Sequence, residues 1–257
     1  MKKMLGVVVA VCLFALLAAS PLPTSAQEVK EKPPMYSYVG DWNIPRAQWA
    51  DMEKSDAADA KTLDKAVAAG TIVGYGSDVN LVHQHDGYTH DDWWSAMSMA
   101  GLLDVLEQFY KAGSPATPVL VSATKHEDAV FVSRYYNWHS GSWKGVYTRV
   151  AAYKLKPDAP NDAVETLSKH LFVPLLEKLL ADGAIHEYEV DTEAIHTQDP
   201  GTFWVVIIAA NADGLDKFNA AVRDLQKTNP LGGTAIGAMV DFSPHRDFLM
   251  RTNVTYK

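Results

Sequence analysis

The chain has 257 residues, 47% of them hydrophobic, and a formal charge of −8 from 31 acids and 23 bases. An acidic chain without a basic cluster argues against nucleic acid and anionic membrane surfaces as partners. The single cysteine, Cys12, excludes an internal disulfide, so stability has to come from a buried core, which a chain of this length is able to form.

In chain order, residues 1–26, "MKKMLGVVVAVCLFALLAASPLPTSA", have a basic start, an apolar run from Leu5 to Ala19 and a small-residue end. This is the pattern of a signal peptide, with cleavage expected after Ala26. The apolar run falls short of the roughly 20 residues that a membrane span needs. The mature protein is therefore expected in the periplasm or outside the cell, free of the membrane once cleaved, and without Cys12. Residues 27–35, "QEVKEKPPM", are polar and proline-bearing and read as a tether.

A strand at 36–42 leads into a helical region that ends at Gly70, the residue type expected just past a helix. A β-hairpin follows, with Asp86-Gly87 as its two-residue turn. Leu102, Leu103, Leu106, Phe109 and Tyr110 then recur at helical spacing, and a strand region closes the unit at 119–138. The same order returns: a strand at 148–155, a helical region interrupted by Pro174 and ending at Gly183, and a hairpin turning at Asp199-Pro200-Gly201. A helix carrying Leu215, Phe218, Val222 and Leu225 follows, then a strand region at 236–256. Pro174 lacks an N–H and should kink or split its helix. Residues 63–89 and 176–202 match without a gap at 10 of 27 positions, 113 residues apart. The identities include Gly70/Gly183, Tyr75/Tyr188, Asp78/Asp191, His83/His196 and Asp86/Asp199. A repeat of this length is domain-sized.

The order β-α-β-β-α-β is that of the ferredoxin-like split βαβ unit, and its third strand should be central. "FWVVIIAA" (203–210) agrees, being apolar on both faces. "HEYEVDTE" (186–193) alternates, placing Glu187, Glu189, Asp191 and Glu193 on one face. On an edge strand such acids would deter sheet-to-sheet aggregation. The fold expected is α+β: two tandem ferredoxin-like repeats, 36–142 and 146–257, packed sheet to sheet as a pseudo-dimeric α/β barrel. In element order and duplication, most of residues 36–257 resembles the dimeric α/β barrel superfamily in its single-chain, tandem form. That group includes small monooxygenases of the antibiotic-biosynthesis type, EthD-like and YCII-like proteins, and haem enzymes such as chlorite dismutases and dye peroxidases. No catalytic motif accompanies the resemblance, so no residue role is carried over, and the fold does not choose among these activities.

Three residue groups are candidates for chemistry. With Asp86-Gly87 as the turn, His83 lies across from His90, and His83, His85 and His90 share one hairpin face, from which three imidazoles could hold a metal such as zinc. The bland reading is a polar hairpin tip, and Gln198 stands where the second copy would need the middle histidine. The recurring pairs His83/Asp86 and His196/Asp199 suit acid–base catalysis, in which an aspartate orients an imidazole and raises its pKa. Inherited turn residues would give the same pairs. Third, "FVSRYYNWHSGSWKGVY" (131–147) joins the copies with aromatic and cationic residues. Arg134, Tyr136 and Trp138, with Tyr75, Trp94 and Tyr188, are candidate ligand-binding residues, although such aromatics equally fill cores. No G-x-S-x-G elbow, P-loop, H-E-x-x-H or dinucleotide fingerprint is present.

The reading that follows is an exported protein, monomeric or homodimeric, that binds a small molecule in or beside the barrel and carries out cofactor-independent monooxygenase or isomerase-like chemistry. The alternatives are a non-catalytic binding or stress-related module, and a metal-dependent enzyme built on the first hairpin. The leading reading needs no cofactor. Metal and haem stay open, since no pattern here marks a single haem-ligating histidine.

Overall fold

A computed structural model describes residues 29–85 and 87–257; residues 1–28, which hold the expected signal peptide and the first two residues of the expected tether, Gln27 and Glu28, lie outside the described residues, as does Asp86. Eight strands carry the fold: β1 (Met35–Trp42), β2 (Gly74–Asn80), β3 (His90–Ala96), β4 (His126–Trp138), β5 (Gly141–Leu155), β6 (Ile185–Ile195), β7 (Thr202–Ala209) and β8 (Val240–Tyr256). They close into one antiparallel barrel in the order β1-β3-β2-β8-β5-β7-β6-β4. The first four strands are ordered β4-β1-β3-β2 and the last four β8-β5-β7-β6, so both halves have the same internal order. Closure comes from two ladders between the halves. β2 pairs with β8 from Gly74↔Tyr256 to Asn80↔Met250, and β4 pairs with β6 from Val130↔Ile195 to Trp138↔Glu187.

The helices lie outside. α1 (Trp49–Ala69) stops at Gly70, and α2 (Met99–Ala112) starts on Ser98, whose hydroxyl caps the Gly101 N–H, and stops at Gly113. Gly70 and Gly113 have φ of 78° and 79°, the left-handed region that glycine enters without a Cβ clash. α3 (Pro118–Val121) is a single short turn before β4. In the second half, α4 (Ala163–Leu167) and α5 (Val173–Ala181) are joined by a π-helical turn, Ser168–Phe172. Pro174 sits in the first turn of α5, where its missing N–H costs nothing, so the helix splits there as its sequence predicts. α6 (Ala212–Thr228) and α7 (Pro230–Met239) complete the chain before β8.

Each half has an apolar core between its strands and its helices. Leu63, Ile72, Trp94, Leu102, Val105 and Phe109 form one, and Leu176, Leu180, Ile185, Tyr188, Phe203 and Ile207 belong to the other. Burying a side chain of this size contributes about 1.5–3 kcal/mol. Two expectations are corrected here. The halves meet edge to edge, and β6 is bonded on both sides, so Glu187, Glu189 and Asp191 do not guard an open edge. The first hairpin is not a two-residue turn either, because β2 and β3 are separated by Leu81–Thr89 and the ladder pairs Val79, not His83, with His90.

Candidate functional site

With apolar cores outside the strands, the inward faces are free to be polar. Asp41 pairs with Asp91 and Asp91 with Asp78, so alternation places three carboxyls in a row across β1, β3 and β2. On β6 the inward positions are Glu187, Glu189 and Asp191. β2 and β6 stand four strands apart in either direction round the barrel, so the two acidic groups face each other. They line a cavity of about 430 Å³ whose remaining wall includes Phe131, Val150, Trp204, Val206, Ile208 and Phe248. Most pockets that take small ligands have this size and this mixture of apolar wall and a few polar groups.

Hydroxyl and N–H donors reach most of these acids. Asp78 accepts from the Thr252 hydroxyl and, at 2.9 Å, from the Trp93 indole N–H. Asp91 accepts from the Asn80 amide at 3.3 Å. Across the barrel, Asp191 accepts from the Ser133 hydroxyl, and Glu189 accepts from Tyr256 at 3.4 Å and from Ser37 at 3.5 Å. Asp78 and Asp191 recur at the 113-residue spacing, and each takes its hydroxyl from the last strand of the other half. Glu187 differs: it is 1% exposed, and no hydroxyl or N–H donor reaches either of its oxygens. The neighbouring Glu189 carboxyl is close enough to share a proton with it, but brings no further donor.

Burial disfavours charge here, and crowding of like charges adds to it. Burial, partly offset by Thr252 and Trp93, raises Asp78 to about 7. Burial also takes Asp41, the least enclosed of the six, to about 6, with its hydrogen bond to Asp91 pulling the other way. Asp91, Glu187 and Asp191 are pushed well above the usual carboxylate range, first by burial and then by neighbouring acids, and burial raises Glu189 too.

The two ends of the cavity differ. The Leu81–Thr89 segment lies over one end, held by Leu81 N–H to Leu249 O at 2.9 Å and by Gln84 against Arg246 and Asp247. There Glu127 accepts from both the Tyr88 hydroxyl and the Gln198 amide, beside Lys125 and Arg246. The other end is a floor of two aromatic rings, Tyr256 and Trp93, 5.8 Å apart, with Trp138 stacked behind Tyr256 at 5.4 Å and outside the cavity. Glycine makes that floor fit. A Cβ on Gly74 would fall inside the Tyr256 ring, and one on Gly76 inside the Trp93 ring. At the 113-residue spacing these two glycines correspond to Glu187 and Glu189.

The sequence candidates lie elsewhere. His83 contacts Arg46 at 3.4 Å and the edge of Trp49 at 5.7 Å, outside the barrel. His90 is buried against the other side of that approach to Trp49, at 5.3 Å, with Nδ1 2.9 Å from the Thr89 hydroxyl, while His85 is exposed on the loop. Burial and the nearby His83 lower His90 to about 4, so it is neutral at physiological pH. Among the described residues no three His, Cys, Asp or Glu side chains are grouped to hold a metal ion. His196 lies 3.7 Å from Glu193, and Asp199 pairs with Lys154 at 3.0 Å, so the two are not coupled. Of the ligand-binding candidates, Trp94 and Tyr188 belong to the outer cores, Tyr75 bonds Asp64 on α1 at 2.8 Å, and Arg134 pairs with Glu31 at 2.5 Å. Tyr136 stacks on Trp138 at 5.6 Å beneath the floor. None of the six lines the cavity. No histidine lines it either, so the described cavity does not fit an imidazole-ligated haem.

No family model and no curated protein matches the sequence. Solved structures do match in shape. A candidate monooxygenase from Lactobacillus acidophilus superposes with a TM-score of 0.59 at 13% identity, over 88% of this chain and 97% of that one. A second, from Fusobacterium nucleatum, gives 0.58 at 8% identity over 88% and 95%. An anthrone oxidase-like protein gives 0.54 at 10% identity over 88% and 94%. The protein has the dimeric α/β barrel fold. In this dimeric α/β barrel the residues that line the interior, Asp41, Asp78, Asp91, Glu187, Glu189 and Asp191, were not singled out as a site by sequence reasoning. Two signals pointed to them: the recurrence of Asp78 as Asp191, and the alternation of acids along β6.

Proposed function

We propose that the barrel interior is a small-molecule site in which the Asp41–Asp91–Asp78 row moves protons, in a cofactor-independent, monooxygenase-like reaction. The observation that carries this reading is a row of buried carboxyls lining a cavity inside the closed barrel, with Asp78 near 7 and Asp41 near 6. Groups poised near neutrality inside a cleft suit general acid–base work. The names of the solved neighbours, two candidate monooxygenases and an anthrone oxidase-like protein, support the reaction class. In the proposed step a carbon acid R₂CH₂ loses a proton to the Asp78 carboxylate, and dioxygen is the oxidant. One oxygen atom stays on carbon as a carbonyl. As the O–O bond breaks, the second hydrogen leaves the same carbon, and the other oxygen departs as water carrying that hydrogen and the proton returned by Asp78, so that R₂CH₂ and O₂ give R₂C=O and H₂O. Phe131 and Trp204, whose centroids are 4.7 Å apart, offer an aromatic wall for a planar substrate.

We also infer that the two halves are duplicated ferredoxin-like units. In support, the 113-residue spacing runs through the ladders: Gly74↔Ser95 and Asp78↔Asp91 correspond to Glu187↔Ile208 and Asp191↔Trp204.

The test is dioxygen consumption with anthrone as the probe substrate. Uptake is expected to fall about 100-fold or more in Asp78→Asn, the scale of losing a general base. No uptake by the wild type, together with nothing retained in native mass spectrometry, would refute the site.

A further inference from the structure

The hydrogen-bond inventory of the cavity is unbalanced. Seven carboxyls bring acceptors. Glu127, at the mouth, accepts from Tyr88 and Gln198. The deeper donors of Ser37, Asn80, Trp93, Ser133, Thr252 and Tyr256 are directed at acids other than Glu187, while the Ser95 and Thr148 hydroxyls are paired with Ser37 and Thr252. Glu187, fully enclosed, has none. A proton shared with Glu189 serves only one of its two oxygens. A buried acceptor left without a donor costs about 1–3 kcal/mol, so this position suits a group that the protein does not supply. The missing group has to bring donors rather than acceptors. An ammonium has three donors and no acceptor, which a hydroxyl or an amide does not match.

Position narrows the ligand further. Glu187 pairs with Trp138 and Ile208, at the floor where Tyr256 and Trp93 present their rings. Aromatic faces attract cations. Above it, Val206, Trp204, Phe131 and Phe248 form an apolar wall, and the cationic lining residues, Lys125 and Arg246, stand at the mouth. A second positive charge on the ligand would meet them there.

We infer that the barrel floor holds the ammonium of an organic monoamine, with Glu187 as counter-ion and the amine's apolar body lying along Val206, Trp204, Phe131 and Phe248. The inference rests on the reading of the cavity as a small-molecule site. Binding converts Glu187 from its protonated to its ionised form, so each bound ammonium releases one proton to solvent.

The experiment is isothermal titration of the full-length protein at neutral pH with three probes: 2-phenylethylamine, the neutral isostere 2-phenylethanol, and 1,4-diaminobutane. Runs in two buffers of different ionisation heat count the protons. The amine should bind tighter than the alcohol by about tenfold or more, a modest share of what a buried charge pair carries. Its binding should release about one proton, and the diamine should bind more weakly than the monoamine. Glu187→Gln should remove both the amine preference and the proton release while the alcohol still binds. The wild-type comparison and proton count need no variant, so a misfolded Gln protein would not blunt the test. Equal affinity for amine and alcohol, tighter binding of the diamine, or an unchanged amine affinity in folded Glu187→Gln would each overturn the inference. Binding of the alcohol alone would do so while keeping the cavity as a ligand site. Binding of no probe, alongside a negative oxygen assay, would remove both.

Discussion

Asp78 receives two hydrogen bonds that favour its charge, yet burial wins and holds it near 7, against an ordinary 3.8. In the folded protein it therefore binds a proton over a range where the unfolded chain has released it. Its contribution to stability is fully present below pH 4 and is lost as pH rises towards 7, by on the order of 4 kcal/mol at most. Asp41, near 6, works in the same direction over a narrower window. His90, lowered to about 4, opposes them, because stability is lost as pH falls from 6.5 through 4 and the unfolded imidazole takes its proton. Burial and the nearby His139 lower His186 as well, so several carboxyls against two imidazoles decide the sign. The melting temperature should be higher at pH 5 than at pH 7.5, and Asp78→Asn should raise it at pH 7.5 and flatten the slope. A wild-type melting point that climbs from pH 5 to 7.5 would mean that these acids are ionised in the fold. A variant that is more stable and inactive is the expected signature of a group kept for chemistry at a cost in stability.

Among the elements, β2 shows how the floor is assembled. Its inward positions are glycine at 74 and 76 because the rings of Tyr256 and Trp93 occupy the space that a side chain would need. Both are aromatic and packed, so neither moves aside cheaply. Gly74→Ala should destabilise the protein by about 1–3 kcal/mol, seen as a lower melting temperature and altered tryptophan fluorescence. An alanine with the wild-type melting point would show that the floor gives way easily. The strand pattern around this site was legible in the sequence: β1, the central β7, the helix stops at Gly70 and Gly183, and the break at Pro174 all follow from local rules. The site itself was not. Alternation along β6 gave the correct grouping of Glu187, Glu189 and Asp191 but not the side, since acids ordinarily face water and the pairing of β6 with β4 depends on residues some 50 positions away in sequence. The histidines misled for a related reason. Asp86-Gly87 has the composition of a tight turn, but Asn80 closes β2 early, so the ladder carries His90 out towards Trp49 and leaves His83 on the loop.

At the scale of the whole molecule, the barrel leaves no unpaired strand edge among the described residues, because each half covers the edges of the other through β2–β8 and β4–β6. Separating the chain between Trp138 and Gly141 would expose those four edges and the acid-lined interior together. Each half expressed alone should aggregate or self-pair, and mixing the two should restore one species of the intact chain's size on gel filtration. Halves that remain monomeric and folded would show that closure is dispensable. The two halves differ at their floor-side positions, where one has Gly74 and Gly76 and the other has Glu187 and Glu189. A barrel made of two identical chains around a two-fold axis presents every guest with two equal ways of lying down, head to tail or tail to head. Here that degeneracy is lifted. The cavity has a top and a bottom and a left and a right, so an unsymmetrical guest has one preferred pose, one of its faces or prochiral hydrogens is presented to Asp78, and bound-state spectra should show a single set of resonances where a symmetric container would average two.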